Sequence, residues 1–236
     1  MGNKQLLIIQ NDPIEALGLY QEYLLKMGVD LHVIYAYKML ENDLFPNLDS
    51  FNAFIVGPTP ISANDVTKHS FLVKEWSYLK KIIESRKPCL GICCGGQILA
   101  RILGAKIVHS PRKEVGGYNV ELTEDGLKDP LFQGFQSKFP VFQWHNDMFQ
   151  VPKDGKLLAT GDLCPIQAFK VGNVRGVIFH LEITCNEAKK WAEAYPDELI
   201  SVGKTKQEVI EECQRSEDEM KKLSEKFITN FIGMIK

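Results

Sequence analysis

No apolar run in this sequence approaches the roughly 18–20 residues that cross a bilayer as a helix, so a transmembrane helix is not expected. Nor does the start of the sequence read as a signal peptide, since Leu6-Leu-Ile-Ile9 is short and leads straight into Gln10-Asn11-Asp12. Met1-Gly2 is not followed by the pattern of a myristoylation site, because Leu6 stands where Ser or Thr is needed. Neither sign of charge dominates: 28 Lys and Arg against 30 Asp and Glu give a net charge of −2, which argues against nucleic acid or an anionic membrane as partner. The six cysteines show no paired C-x-x-C spacing and no close His pair, so neither a disulfide framework nor a zinc site is expected. Reduced thiols in the cytoplasm are the expectation. There is no Gly-x-x-x-x-Gly-Lys phosphate loop, internal repeat, low-complexity tract or linker. A chain of 236 residues, 44% hydrophobic, is therefore expected to form one domain over 1–236, with a C-terminal helical extension from about 186 to 236.

What the sequence does have is centred on Lys87-Pro-Cys-Leu-Gly-Ile-Cys-Cys-Gly-Gly-Gln97. Cys89 to Ile92 reads as a short buried strand, and Gln97 to Gly104 continues with helical apolar spacing. Between them lies Gly91-Ile92-Cys93-Cys94-Gly95, a Gly-x-nucleophile-x-Gly frame that fits a strand–turn–helix elbow. Glycines on either side let the backbone fold back, and a thiol there faces a helix N-terminus that favours thiolate. Centring on Cys94 would put Ile92 where a small residue belongs. Cys93 is thus the candidate nucleophile and Cys94 a small packing residue, whose N–H at the helix start is a natural oxyanion donor.

The rest of the chain supplies a frame for this elbow. Gln5–Gln10, Val29–Tyr37 and Asn52–Val56 read as strands, with helices expected over Ile14–Met27 and Lys68–Arg86. Strands alternating with such helices indicate βαβ units and a central, mostly parallel sheet flanked by helices, an α/β fold. After Gly104 the texture changes to short β runs at Lys106–His109, Gly117–Leu122, Lys138–Trp144, Lys156–Thr160, Ile166–Val171 and Val174–Phe179, a smaller antiparallel portion. Met220, Leu223, Phe227, Phe231 and Ile235 form a stripe that predicts a last helix docked on the core.

A cysteine nucleophile needs a base, and the base an orienting acceptor. His180 ends the run Val174-Arg-Gly-Val-Ile-Phe179, with Glu182 two residues on, and side chains two apart on a strand point the same way. The carboxylate can then hold one imidazole nitrogen while the other faces the thiol. Together with the elbow, this pair resembles the class I glutamine amidotransferase family with its Cys-His-Glu triad. Gly91-Ile-Cys-Cys-Gly-Gly-Gln97 is similar to that family's Gly-x-Cys-x-Gly-x-Gln signature. Lys113-Glu-Val-Gly116, Trp144-His-Asn-Asp147, Cys164-Pro-Ile-Gln-Ala168 and Gly176-Val-Ile-Phe-His-Leu-Glu182 resemble its stand-alone branch, related to the glutaminase domain of GMP synthase.

The resemblance implies a flavodoxin-like fold and hydrolysis of glutamine through a γ-glutamyl thioester, with Cys93 as nucleophile, His180 as base and acid, and Glu182 as orienter. It implies that Gln97 and the segment holding Trp144, His145 and Asp147 help bind substrate. His145 and Asp147 are otherwise a loop cap and a turn former, and Glu114 either a substrate ligand or a solvated loop carboxylate. The family's Gly-Gly-Pro loop is here Gly57-Pro58-Thr59-Pro60; Pro58 has no N–H, which leaves Gly57 or Thr59 as second oxyanion donor. No cofactor or metal is implied. A separate ammonia-accepting synthetase chain is an expected partner, and oligomeric state is not implied. Hydrolysis of γ-glutamyl peptides or conjugates, with the same triad and a wider pocket, is the alternative, towards which Gly96, in place of a bulkier family residue, and the lack of a recognisable synthetase module lean. A non-catalytic regulatory role is the third reading.

Overall fold

The structure is a computed structural model that describes residues 4–235; the Met1-Gly2 start, weighed above for myristoylation, lies outside them. Nine strands form one mixed sheet in the order β2-β1-β3-β4-β9-β8-β7-β5-β6. They are β1 Gln5–Gln10, β2 Asp30–Tyr35, β3 Ala53–Val56, β4 Cys89–Ile92, β5 Ile107–Leu122, β6 Lys138–Phe149, β7 Lys156–Gly161, β8 Ala168–Val171 and β9 Val174–Val177. The helices are α1 Gly18–Lys26, α2 Ser70–Glu84, α3 Cys94–Ile102, the single turn α4 Glu124–Leu127, α5 Cys185–Ala194, α6 Pro196–Val202 and α7 Lys206–Gly233.

The first five strands in that order pair in parallel, the arrangement expected of βαβ units. Their inner members, β3, β4 and β1 between its terminal glutamines, are apolar because helices cover both faces. Alternation along β1 sends Leu6 and Ile8 to one core and Leu7 and Ile9 to the other. The first core lies under α1, α5 and α7, the second under α2 and α3. The remaining pairs, β9-β8-β7-β5-β6, are antiparallel and continue the same sheet.

Just past β9, His180 and Phe142 of β6 exchange backbone hydrogen bonds, with His180 N–H donating to Phe142 O at 2.8 Å and Phe142 N–H to His180 O at 3.0 Å. The antiparallel half is thereby closed into a ring, and β6 is carried back to the elbow.

Several sequence boundaries move. The first helix starts at Gly18 rather than Ile14, because Asp12 Oδ1 accepts the N–H of Ile14 at 2.7 Å and of Glu15 at 3.1 Å and holds that stretch in a turn. The runs at 106–109 and 117–122 are one strand, β5, whose pairing with β6 slips between His109 and Glu114. The expected C-terminal helical extension is made, among the described residues, of α5, α6 and α7, with breaks where Pro196 starts α6 and where Gly203 takes φ 68° after it. Thr205 and Glu208 then cap α7 reciprocally. Met220, Leu223, Phe227 and Phe231 are buried as the stripe predicts.

Candidate active site

Cys93 occupies the turn between β4 and α3 with φ 49° and ψ −114°, a left-handed conformation rare for a residue with a side chain. Its N–H donates to Val177 O of β9 at 2.8 Å and its carbonyl accepts Gln97 N–H at 3.0 Å, so both peptide groups are fixed. The flanking glycines are sterically required. A Cβ at Gly91 would lie 2.6 Å from the Gly96 backbone, and one at Gly95 2.2 Å from Val56 O.

A Cβ at Gly96 would meet Val177 O at 2.9 Å, so this glycine lets α3 approach β9 closely.

The thiol opens into a cavity of about 240 Å³ lined among others by Glu15, Thr59, Gln97, Trp144, Asp147 and Tyr195. Cys93 Sγ lies 4.0 Å from Trp144 O. Burial pushes its pKa well above the ordinary thiol value, and the Glu15 charge adds to this, while the Cys94 N–H opposes it. Cys94 turns its own sulfur away and donates to Ile61 O at 3.1 Å.

His180 and Glu182 pair as the spacing predicts: Nδ1 lies 2.5 Å from Glu182 Oε1, and Glu182 Oε2 accepts the Leu181 N–H at 3.0 Å. Trp191 packs edge-on against the imidazole at 4.8 Å. Nε2, the other ring nitrogen, is buried without a hydrogen-bond partner among the described residues. His180 does not itself line the cavity, and among the described residues no hydrogen bond joins it to Cys93.

Of the other sequence candidates, Gln97, Trp144, His145 and Asp147 all line the cavity, with Gln97 Nε2 donating to Asp147 O at 3.0 Å. Asp147 accepts from Ser62 Oγ at 3.0 Å and pairs with His109 Nδ1 at 2.7 Å. Thr59 lines the cavity as well. Gly57 is removed as an oxyanion donor, because its N–H is already bonded to Ile9 O at 2.9 Å.

The class I glutamine amidotransferase family model matches residues 18–194. The chain belongs to that family. It is 36% identical over 143 residues to the glutamine amidotransferase-like protein YfeJ of Salmonella typhimurium, a match covering 59% of this chain and 60% of YfeJ. It is also 33% identical over 112 residues to one of the subunits of the glutamine-hydrolysing GMP synthase of Pyrococcus abyssi, covering 46% of this chain and 58% of that protein. The chain thus spans under two thirds of the length of these relatives. The crystal structure of a glutamine amidotransferase from Thermotoga maritima superposes with a TM-score of 0.87 at 28% identity, covering 98% of this chain and 99% of that one.

Some residues of this family member escape a reading of the sequence. Glu114 is neither a loop residue nor solvated: it is 1% exposed on β5 and accepts from His145 Nε2 and from Gln167 Nε2, both at 2.9 Å. Ligand-type atoms of Glu114, His145 and Cys164 lie within 4.8 Å of one another, a grouping of the kind that can hold a metal. Here the Glu114 carboxylate already has two donors, while the Cys164 thiol donates to Ile166 O at 3.5 Å. Glu15, Tyr195 and Glu198 also line the cavity, and no motif marks them for that place. The one available clue is Asp12-Pro13, a turn signal strong enough to keep Glu15 out of the first helix.

Proposed function

We propose that this amidotransferase hydrolyses the γ-carboxamide of glutamine, with Cys93, His180 and Glu182 as its triad. The observation that carries the reading is the strained elbow, which holds Cys93 at positive φ against a cavity, between glycines at which no side chain fits. His180 Nε2 takes the Cys93 proton as Sγ attacks the amide carbon, and Glu182 holds Nδ1 so that the imidazolium is stabilised. The oxyanion is met by the N–H groups of Cys94 and Thr59. His180 returns the proton to the leaving nitrogen, releasing ammonia and leaving a γ-glutamyl thioester. A water then loses its proton to His180, attacks the same carbon and frees glutamate and the thiol.

Gln97 and the Trp144–Asp147 segment position the substrate. Likeness to the archaeal GMP synthase protein supports delivery of the ammonia to a separate synthetase chain. No helix among the described residues is long and apolar enough to cross a membrane, and with six free thiols the reading places the enzyme in the reducing cytoplasm.

Cys93→Ala is expected to abolish release of ammonia from glutamine, and Cys94→Ala to retain most of it, in a coupled glutamate assay. Equal loss in both would sink the assignment of the nucleophile. Running γ-glutamyl dipeptides beside glutamine tests the alternative acyl donor.

A further inference from the structure

Three carboxylates face the cavity, and two are already engaged. Asp147 is held by Ser62 and His109, and Glu198 is paired with Lys113. Glu15 differs. It is 6% exposed, on the turn that Asp12 holds ahead of α1, and its carboxylate receives no geometric hydrogen bond among the described residues. The Tyr195 hydroxyl comes near it without reaching hydrogen-bond geometry and is itself unpartnered.

A buried carboxylate with no donor is costly for a fold to keep, and that cost is relieved when a cation enters. The surroundings agree: burial, then the neighbouring Asp12, pushes the Glu15 carboxyl up to about 8, and the Glu15 charge is felt at Cys93.

We infer that Glu15 determines substrate specificity, binding the α-ammonium of a substrate whose γ-acyl carbon is presented to Cys93. This rests on the proposed attack by Cys93 and deepens it, naming the ligand class as primary ammonium compounds with a γ-acyl group. A γ-glutamyl unit carries its ammonium at the end remote from the scissile carbon, so one cavity can hold both groups at once. Substrates without the amine leave Glu15 unpaired, and a site built round a polar partner rejects analogues that lack it.

The test compares alkylation of Cys93 by the chloroketone analogue of glutamine and by its desamino counterpart, followed by mass spectrometry. It needs no turnover and no partner chain. Wild-type protein is expected to favour the amine-bearing reagent by roughly 10- to 100-fold, the range of a charge-assisted hydrogen bond. In Glu15→Gln the preference should fall to within about 3-fold, with Glu15→Asp restoring part of it. A wild-type preference below that level overturns the inference whether or not the variants fold. So does a preference that survives in a folded Glu15→Gln, as would occur if Glu15 served only the hydrolytic water. Failure of both reagents to modify wild-type Cys93 overturns the assigned nucleophile and the Glu15 inference with it.

Discussion

Glu75 of α2 is fully buried, and its carboxylate accepts from Asn11 Nδ2 at 3.1 Å; the same amide donates to Gly57 O at 3.2 Å. This residue ties α2 to the loop that holds Thr59. Burial raises its pKa to about 8, only partly offset by the Asn11 bond. The folded protein therefore keeps the Glu75 proton at pH values where the unfolded chain has lost it. Stability from this group is full below pH about 4.5 and declines as pH rises towards 8. Glu75→Gln, which keeps the shape without the titration, should flatten the fall between pH 5 and 8 by an amount on the order of a few kcal/mol. Urea midpoints measured across that range check it, with Glu15 supplying a residual slope of the same sign. A variant with the wild-type slope would show that Glu75 stays ionised in the fold.

Among elements, the elbow is the most legible from sequence and α1 the least. Glycine spacing about Cys93 reports a backbone demand that few other residues can meet, so it survives without knowledge of tertiary contacts. Glu15 has no such local mark. Apolar spacing carries the expected helix back to Ile14, and only the side chain of Asp12 shows why it begins later. The run of short strands is visible too, but not that their ring closes, since that depends on pairing between residues 142 and 180. The elbow also offers a direct test. At Gly95 an added methyl would press on Val56 O and Gly57 O and push α3 from β3. Gly95→Ala should destabilise by about 1–3 kcal/mol and, under the proposed mechanism, cut activity, because Cys93 and the Thr59 loop move together. Chemical denaturation with parallel turnover measurements reads both. Gly104→Ala, where a Cβ meets nothing within 4 Å, compares a φ penalty alone.

Over the whole molecule, α7 couples parts far apart in the chain. Phe227 stacks on Tyr20 of α1 at 5.7 Å, tilts against Phe132 at the same distance, and meets Phe179, the neighbour of His180, at 6.4 Å. Phe227→Ala should cost about 3–5 kcal/mol. We expect that loss as a shift of one calorimetric transition; two separated transitions would mean that the C-terminal helices unfold independently of the sheet.

The backbone bridge between Phe142 and His180 has a longer reach. It anchors the imidazole through hydrogen bonds between main chains, which do not depend on side-chain identity at either position. The cavity's margin, by contrast, is drawn by Ile61, Ser62, Tyr195 and Glu198, on segments outside the sheet. Descendants of this chain are thus free to trade residues at that margin, while the His180 imidazole stays where its peptide bonds hold it.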